Sequence, residues 1–435
     1  MNNRRRPRND APEPAGLPTR RAALRLLDAV LRRGDPLEVA LHGATQGLAS
    51  PADKALTHAI VADVLRWMVD LDALIDSATE RPLPEDAKAR MVLRIALVQL
   101  LCLETPPHAV IATALPLVER GPRRLVHGVL GTLSRGDVQL PDHPTLPAPV
   151  AERWRVQWGE ETVDAAAQAL GRRPPIDLTL ADPAETEEFA QALGGESLMP
   201  GHVRIGHDPA IPTLPGFAEG RWWVQDLAAS LPARFACSGE GRTAIDLCAA
   251  PGGKTMQLAA QGWRVTALDR SAKRLERLAQ NLARSGLSAD VMQADALLWD
   301  HAGEADLVLL DAPCSATGIF QRHPDTLYRA GDRQIAELAA QQTAMLIRAA
   351  QWVRPGGYLI YSTCSLERAE GEEPIAEFLA AHPHFSIEPP APDELPPGIV
   401  PDAEGCVRTL PGMLYDTGGI AGFFIARMRR DVTGE

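Results

Sequence analysis

From Arg242 onward the chain repeats one rhythm, in which a short apolar run leads through a polar or glycine-containing loop into a helical stretch. The runs are RTAIDL, WRVTALD, ADVMQAD, ADLVLLD and GGYLIYST. Apolar strands separated by helices bury both faces of the sheet they form, so the pattern predicts a parallel, doubly wound α/β domain. No other feature of the sequence constrains the fold as tightly.

The full length of 435 residues leaves room for other domains, and the chain is expected to be multi-domain. Residues 19–135 have helical periodicity throughout and predict an all-α N-terminal bundle. TRRAALRLLDAVLRRGD places Leu24, Leu27 and Leu31 on one face, with Thr19 as a candidate cap and Gly34 as the stop. SPADKALTHAIVADVLRWMVDLDALI offers Ser50 as cap and Pro51 at the first helical position, where a missing N–H costs nothing. Further helices are expected at 84–104, 107–119 and 122–134. Residues 136–150 carry four prolines and little periodicity, and they read as a linker. Residues 151–236, with PIDLTLA and GHVRIG as strands between helices, predict a small α+β module. The α/β domain then covers 237–431. Residues 1–18 are basic and proline-rich without an apolar run behind the charges, so they read as a disordered tail and not a secretory signal.

A formal charge of −12 argues against a protein that coats nucleic acid indiscriminately. It leaves room for a local basic face, and GPRRLVHG, GRRPP, SAKRLERLAQNLARSG and QRHPDTLYRAGDR supply clusters for one. No apolar stretch is long enough to suggest a membrane span. The six cysteines, Cys102, Cys237, Cys248, Cys314, Cys364 and Cys406, are scattered, without the paired spacing of a zinc site or the density of a disulfide scaffold. A reducing cytoplasm and no metal are expected.

In an open parallel sheet, ligands bind beyond the carboxyl ends of the strands. Four successive strands end in a carboxylate: Asp246, Asp269, Asp295 and Asp311. The first leads into DLCAAPGGKT, a small-residue loop whose backbone can approach a ligand while the next helix points its N-terminus inward. Asp269 lies about twenty residues further on, the spacing at which an acidic side chain accepts from ribose hydroxyls. The lesser alternative is that it caps the helix of RSAKRLERL. Neither the dinucleotide spacing GxGxxG nor a phosphate loop is present, which disfavours NAD and ATP. S-adenosylmethionine, an adenosine ligand without a pyrophosphate, suits these acidic ends.

Cys314 follows the fourth strand and Cys364 the fifth, so both thiols belong at the rim of that ligand site. A lone cysteine is more often structural. A thiol at this rim has a chemical use, because thiolate addition at carbon 6 of a pyrimidine turns carbon 5 into a nucleophile for a methyl sulfonium. Either cysteine satisfies this chemistry. The thiolate fraction at neutral pH is small, which calls for nearby cations, and Lys254, Arg322 and His323 are the candidates. Asp311 is placed to address the N3 edge of the base.

Taken in order, DLCAAPGGKT, ALDRS, QADA, DAPCSATG, RHPD and YSTCS resemble the motifs of the NOL/NSUN/Sun class of RNA 5-methylcytosine methyltransferases. The resemblance covers about residues 220 to 430, and WWVQDLAAS resembles the segment that leads into that catalytic domain. The helical front domain is similar to the NusB-like extension of the RsmB/Sun branch. The resemblance implies a Rossmann-like class I methyltransferase fold, S-adenosylmethionine as cofactor, and one cytosine of 16S ribosomal RNA, naked or in an assembling small subunit, as substrate. It implies Cys364 as nucleophile and Cys314 as the helper in product release. It further implies that Cys248, Ala249, Ala250, Pro251, Gly252, Gly253, Lys254, Asp269, Asp295 and Asp311 line the donor site, with Lys254, Arg322 and His323 toward RNA. The stretch DLTLA (177–181) departs from the family pattern.

The same motifs suit another ribosomal or transfer RNA cytosine. A non-catalytic RNA-binding adaptor and an oxidoreductase on a dinucleotide fold are the alternatives from other classes. A cytoplasmic monomer without membrane association is expected.

Overall fold

The computed structural model describes residues 14–206, 210–300 and 303–432. The chain divides into two compact units, one running to Pro147 and taking in His323–Arg329, the other comprising Ala148–Arg322 and the chain from Ala330 onward. The tail expected over 1–18 lies outside the described residues up to residue 13.

The first unit is helical: α1 (Leu17–Arg33), α2 (Leu37–Ala44), α3 (Pro51–Ser77), α4 (Lys88–Leu101), α5 (Pro107–Ala114) and α6 (Arg120–Arg135). Its core is a continuous apolar cluster that includes Leu26, Leu27, Val61, Leu65, Val92, Ile95, Val126 and Leu130. Each fully buried side chain of this kind contributes about 1.5–3 kcal/mol relative to exposure. Thr19 is not the cap of α1. The helix starts two residues earlier, after Gly16 at φ 78°, because Pro18 fits the first turn. The Thr19 hydroxyl instead donates to Asp53 at 3.0 Å. Gly34, at φ 72°, closes α1 as its spacing predicts, its N–H reaching the carbonyls of Ala29 and Val30. Ser50 does stand at the start of α3, although its side chain makes no capping bond. α2 was not expected from the sequence. Within α4, Arg94 forms a two-pronged pair with Asp72 at 2.8 and 2.6 Å, which compensates its burial.

The second unit begins with α7 (Ala148–Trp158) and α8 (Glu160–Leu170). A three-stranded antiparallel sheet follows, of β1 (Ile176–Leu180), β2 (His202–Ile205) and β3 (Trp222–Val224), with α9 (Thr186–Leu193) in the β1–β2 connection and β1 central. Within this sheet, β3 is the strand the sequence did not announce. The DLTLA stretch has a packing role here: Asp177 is buried, accepting from Arg204 at 2.7 and 3.0 Å and lying 3.2 Å from His202 Nε2. Burial pushes its carboxyl upward, but the bonds from His202 and Arg204 outweigh that and hold it well below the usual carboxylate range.

After α10 (Leu227–Arg234) comes the large sheet: β4 (Thr243–Leu247), β5 (Arg264–Asp269), β6 (Asp290–Gln293), β7 (Ala305–Asp311), β8 (Val353–Thr363), β9 (Phe385–Ile387), β10 (Val407–Thr409) and β11 (Phe423–Arg430). The main path runs β10-β11-β8-β7-β4-β5-β6, and β9 pairs with β11. β4 to β8 are parallel, as the alternation of strand and helix requires. β11 runs antiparallel to β8, so the sheet is mixed at one edge. The helices are α11 (Gly253–Ala260), α12 (Ala272–Ser285), α13 (Thr326–Arg329), α14 (Asp332–Ala350) and α15 (Glu372–Ala381). Strand alternation sends Ala244, Leu307 and Leu309 into a core with Met256, Leu278 and Leu282. Ile245, Leu247, Val308 and Leu310 go to the opposite face, against Met345, Leu346 and Phe378. Both faces are covered, which is the doubly wound arrangement. α13 lies in the segment that clusters with the helical unit.

Candidate active site

Strand order sets the location of the site. From β4 the chain steps through β5 to β6, then returns to lay β7 on the other side of β4, so the loops after β4 and β7 diverge at the switch point. The β4 loop is Cys248–Gly252, with Cys248 at φ 60° and Gly252 at φ 106°. Gly252 precedes α11, and a Cβ there would lie 2.9 Å from Leu278 Cγ, so both its conformation and its packing require glycine. Gly253 and Lys254 open α11.

One cleft, enclosing about 830 Å³, is lined by Cys248, Asp269, Asp295, Asp311, Cys314 and Cys364, among others. The Asp269 carboxylate accepts from the backbone N–H of Ala250 at 3.2 Å and of Ser271 at 2.9 Å, and pairs with Arg274 at 3.0 Å. The capping alternative falls to its neighbour, since Ser271 Oγ is what accepts from the N–H of Arg274 at the start of α12. Asp295 accepts from the N–H of Leu297 at 2.9 Å and turns the chain at the cleft edge. Leu268, Ala296 and Met345 form an apolar wall. Two carboxylates beside such a wall are the chemistry that ribose hydroxyls and an adenine ring require, and the residues therefore fit an adenosyl ligand.

Asp246 does not line this cleft. It borders a neighbouring one with Lys254, Gln225 and Arg284. Its Oδ2 accepts from Thr255 at 2.5 Å, and its buried Oδ1 has no hydrogen-bond partner among the described residues. Burial pushes this carboxyl up to about 7.

The sulfurs of Cys314 and Cys364 stand 3.4 Å apart. Three bonds stitch their loops together: Ala312 N–H to Ser362 O at 2.9 Å, Gly318 N–H to Cys364 O at 3.0 Å, and Leu366 N–H to Thr317 Oγ1 at 3.0 Å. At Gly318 a Cβ would collide with the carbonyl of Gly422, whose N–H bonds back to Gly318 O at 2.9 Å. The hydrogen bond with Cys364, then burial, raises the Cys314 thiol well above its ordinary pKa. Cys248 is pushed up to about 12, by burial first and then by the Asp311, Asp269 and Asp246 charges.

The three cations expected to favour a thiolate are disposed otherwise. Lys254 Nζ pairs with Asp311 Oδ2 at 2.7 Å, and Ser362 Oγ donates to the other oxygen at 2.9 Å. Arg322 donates to Pro175 O at 2.6 Å and faces Asp226 at 3.6 Å, in a different cleft. His323 belongs to the segment that clusters with the helical unit. Sequence reasoning missed Ser362 and Arg274, although the spacing of β8 and the basic start of α12 were there to read. Among the described residues no group of His, Cys, Asp and Glu is arranged to hold a metal ion, and no helix is long and apolar enough to cross a membrane.

Residues 237–429 match the family described as 16S rRNA methyltransferase RsmB/F, and residues 17–135 match the NusB family. The ribosomal RNA small subunit methyltransferase B of Klebsiella pneumoniae is 34% identical over 398 residues, covering 85% of this chain and 91% of that protein. The protein of the same description from Xanthomonas campestris is 34% identical over 388 residues, covering 84% and 88%. Among solved structures, the crystal structure of PH0851 superposes with a TM-score of 0.72 at 25% identity, covering 94% of this chain and 98% of that one. A parallel sheet with its switch-point cleft and thiol pair, preceded by a NusB-type helical unit and matched along most of the chain by these relatives, places the protein in the 16S rRNA methyltransferase RsmB/F family.

Proposed function

We propose that this methyltransferase forms 5-methylcytosine in 16S ribosomal RNA, free or within an assembling small subunit, with S-adenosylmethionine as methyl donor. It is taken to act as a cytoplasmic monomer. The observation that carries the proposal is the 3.4 Å approach of two thiols in a cleft that Asp269 and Asp295 also line.

Cys364 acts first, its thiolate forming a bond to carbon 6 of the cytosine while electrons move through the ring toward N3. The proton that leaves the Cys364 thiol is relayed to N3 by the Asp311 carboxylate, which Lys254 and Ser362 hold in place. The donor, bound against Asp269, Asp295 and the Cys248–Lys254 loop, supplies an electrophilic methyl group on a cationic sulfur. Methylation at carbon 5 leaves one hydrogen too many there. Its removal as a proton lets the bond to Cys364 break and restores the aromatic ring. Cys314, hydrogen-bonded to Cys364 at 3.4 Å, passes its thiol proton to the departing Cys364 sulfur and takes up the carbon 5 proton in exchange. Lys254 touches the base through Asp311, and Arg322 and His323 are assigned to contacts along the RNA.

Mass-spectrometric mapping of methylated cytosines in ribosomal RNA tests the proposal. RNA from a deletion strain is expected to lack one 5-methylcytosine that the purified protein and S-adenosylmethionine restore. Failure to restore it in any RNA would refute the assignment.

A further inference from the structure

Glu370 closes the one-turn helix Arg368–Glu370 beyond the Cys364 loop, and its side chain is fully buried. Its Oε1 accepts from the N–H of Ser315 at 2.9 Å and from Gln342 Nε2 at 3.0 Å. Its Oε2 accepts from the Ser365 hydroxyl at 2.5 Å and from the Ser315 hydroxyl. Ser315 directly follows Cys314, and Ser365 directly follows Cys364. One carboxylate therefore gathers hydrogen bonds from both thiol-bearing loops. Glu370 is itself anchored, because its carbonyl accepts from Tyr361 Oη at 2.9 Å and Thr363 Oγ1 at 3.1 Å, both on β8.

A buried carboxylate is costly to maintain, and an apolar residue of similar volume serves packing as well or better. Four donors converging on this one offset that cost. Three of the four come from Ser315 and Ser365, the residues whose neighbours carry the sulfurs, while Glu370 lies outside the residues that line the cleft. We propose that Glu370 is a positioning residue that clamps the Cys314 and Cys364 loops together and holds the two thiols in register for addition and release. This rests on the assignment of the thiol pair as catalytic. The Glu370 charge adds to the Cys364 hydrogen bond and to burial in favouring the protonated form of Cys314.

The test compares wild-type protein with Glu370→Gln and Glu370→Ala on undermethylated 16S ribosomal RNA. Glutamine keeps the volume and an oxygen acceptor for the two N–H donors, but it loses the charge, and its amide nitrogen cannot accept from the Ser315 and Ser365 hydroxyls. Losing hydrogen bonds to a charged group is worth about tenfold to a hundredfold each in rate if they are fully expressed at the reacting centre. The expected result is a single-turnover rate at least tenfold lower in Glu370→Gln and lower again in Glu370→Ala. S-adenosylmethionine affinity by calorimetry and the KM for RNA are expected to stay within about twofold, since Ser315, Ser365 and Glu370 do not line the cleft. A folded Glu370→Gln variant with wild-type rate, or one whose only loss is in donor affinity, would overturn the proposal.

Should the Glu370 variants fail to fold, Ser315→Ala and Ser365→Ala each remove a donor from the same carboxylate. Each is expected to slow turnover with donor binding intact, and the pair to be non-additive; wild-type rates in both would equally refute the clamp. A substrate-free measurement separates this proposal from the assignment of function. Phenylarsine oxide condenses with two adjacent thiols, forming two arsenic–sulfur bonds and releasing one water. The wild-type protein is expected to take up one equivalent bridging Cys314 and Cys364, identified by peptide mass spectrometry, and Glu370→Ala to bind it at least tenfold more weakly. Unchanged arsenical binding would count against the clamp even if the wild type methylates RNA. Intact arsenical behaviour in a wild type that methylates no RNA would overturn the assigned reaction, and with it the catalytic role of the clamp.

Discussion

Asp311 and Ser362 are register partners on β7 and β8, and the hydroxyl of Ser362 donates to the Asp311 carboxylate across that pair at 2.9 Å. Two residues beyond Ser362 comes Cys364, and three beyond Asp311 comes Cys314. The Asp311 carboxylate and both thiols thus follow from one pair of adjacent parallel strands.

The first consequence concerns the division of labour between the sulfurs. Cys364→Ala is expected to abolish turnover, whereas Cys314→Ala should complete the first covalent step and accumulate a protein–RNA adduct, visible as a complex that survives denaturing electrophoresis. Adduct in the Cys364 variant instead would reverse the two roles.

Asp269 lies at the far end of the cleft from the thiols in the proposed scheme and acts on the donor. Replacing it by alanine removes charge-assisted hydrogen bonds to the ribose, worth about 1.5–3 kcal/mol, so donor affinity should fall about tenfold to a hundredfold. The rate at saturating donor should change far less. A large loss of rate at unchanged affinity, measured by calorimetry and single-turnover kinetics, would contradict this placement.

A pH effect follows from Asp246, whose folded-state value of about 7 lies above its ordinary 3.8 because of burial. A raised carboxyl stabilises the fold fully only below the lower value, and the contribution is lost as pH rises through the higher one. Between pH 5 and pH 8 the wild type should therefore lose about 2 kcal/mol relative to Asp246→Asn, which has no carboxyl to ionise. Urea unfolding of both proteins across that range measures it. Parallel curves would show that Asp246 does not titrate there.

Asp177 carries the opposite sign. Its depressed carboxyl contributes stability that is present above the ordinary carboxylate range and is lost as pH falls through its low folded-state value. At neutral pH, Asp177→Ala leaves Arg204 and His202 buried without their partner, which should cost about 3–5 kcal/mol. Thermal unfolding reads the loss. A change in melting temperature of only a degree or two would mean that water or a neighbouring group replaces the carboxylate.

Much of the architecture was legible because its signals are local. The parallel strands appear as apolar runs of strand length, and α1 stops where Gly34 offers a left-handed conformation. The departures are also local in cause. Pro18 moved the start of α1 ahead of Thr19, and β3 is too short at three residues to show alternation before it pairs with β1. The carboxylates at the ends of β4 and β5 look alike in sequence, yet Asp269 lines the cleft that holds the two thiols and Asp246 does not. Their strands are adjacent, but the register sets Asp246 against Ala267, two residues short of Asp269, so it stops deeper in the sheet.

The stretch LERAEGEEP shows where local reading ends. It has the composition of a solvated acidic turn, and nothing in its spacing distinguishes Glu367 or Glu370 from Glu373. In the folded protein Glu367 is buried against Trp154, Gln157 and Arg153 of α7, and Glu370 against the serines beside each thiol. The sequence by itself determined which chemistry was available, namely the strand-end carboxylates, the glycine loop and two thiols past neighbouring strands, because backbone periodicity and residue type are properties of short segments. Only the tertiary structure decided which groups meet, which cations are already committed to carboxylates and which acids are buried. Those outcomes depend on contacts between residues far apart in the chain, where desolvation and hydrogen bonding act on whatever the fold has brought together.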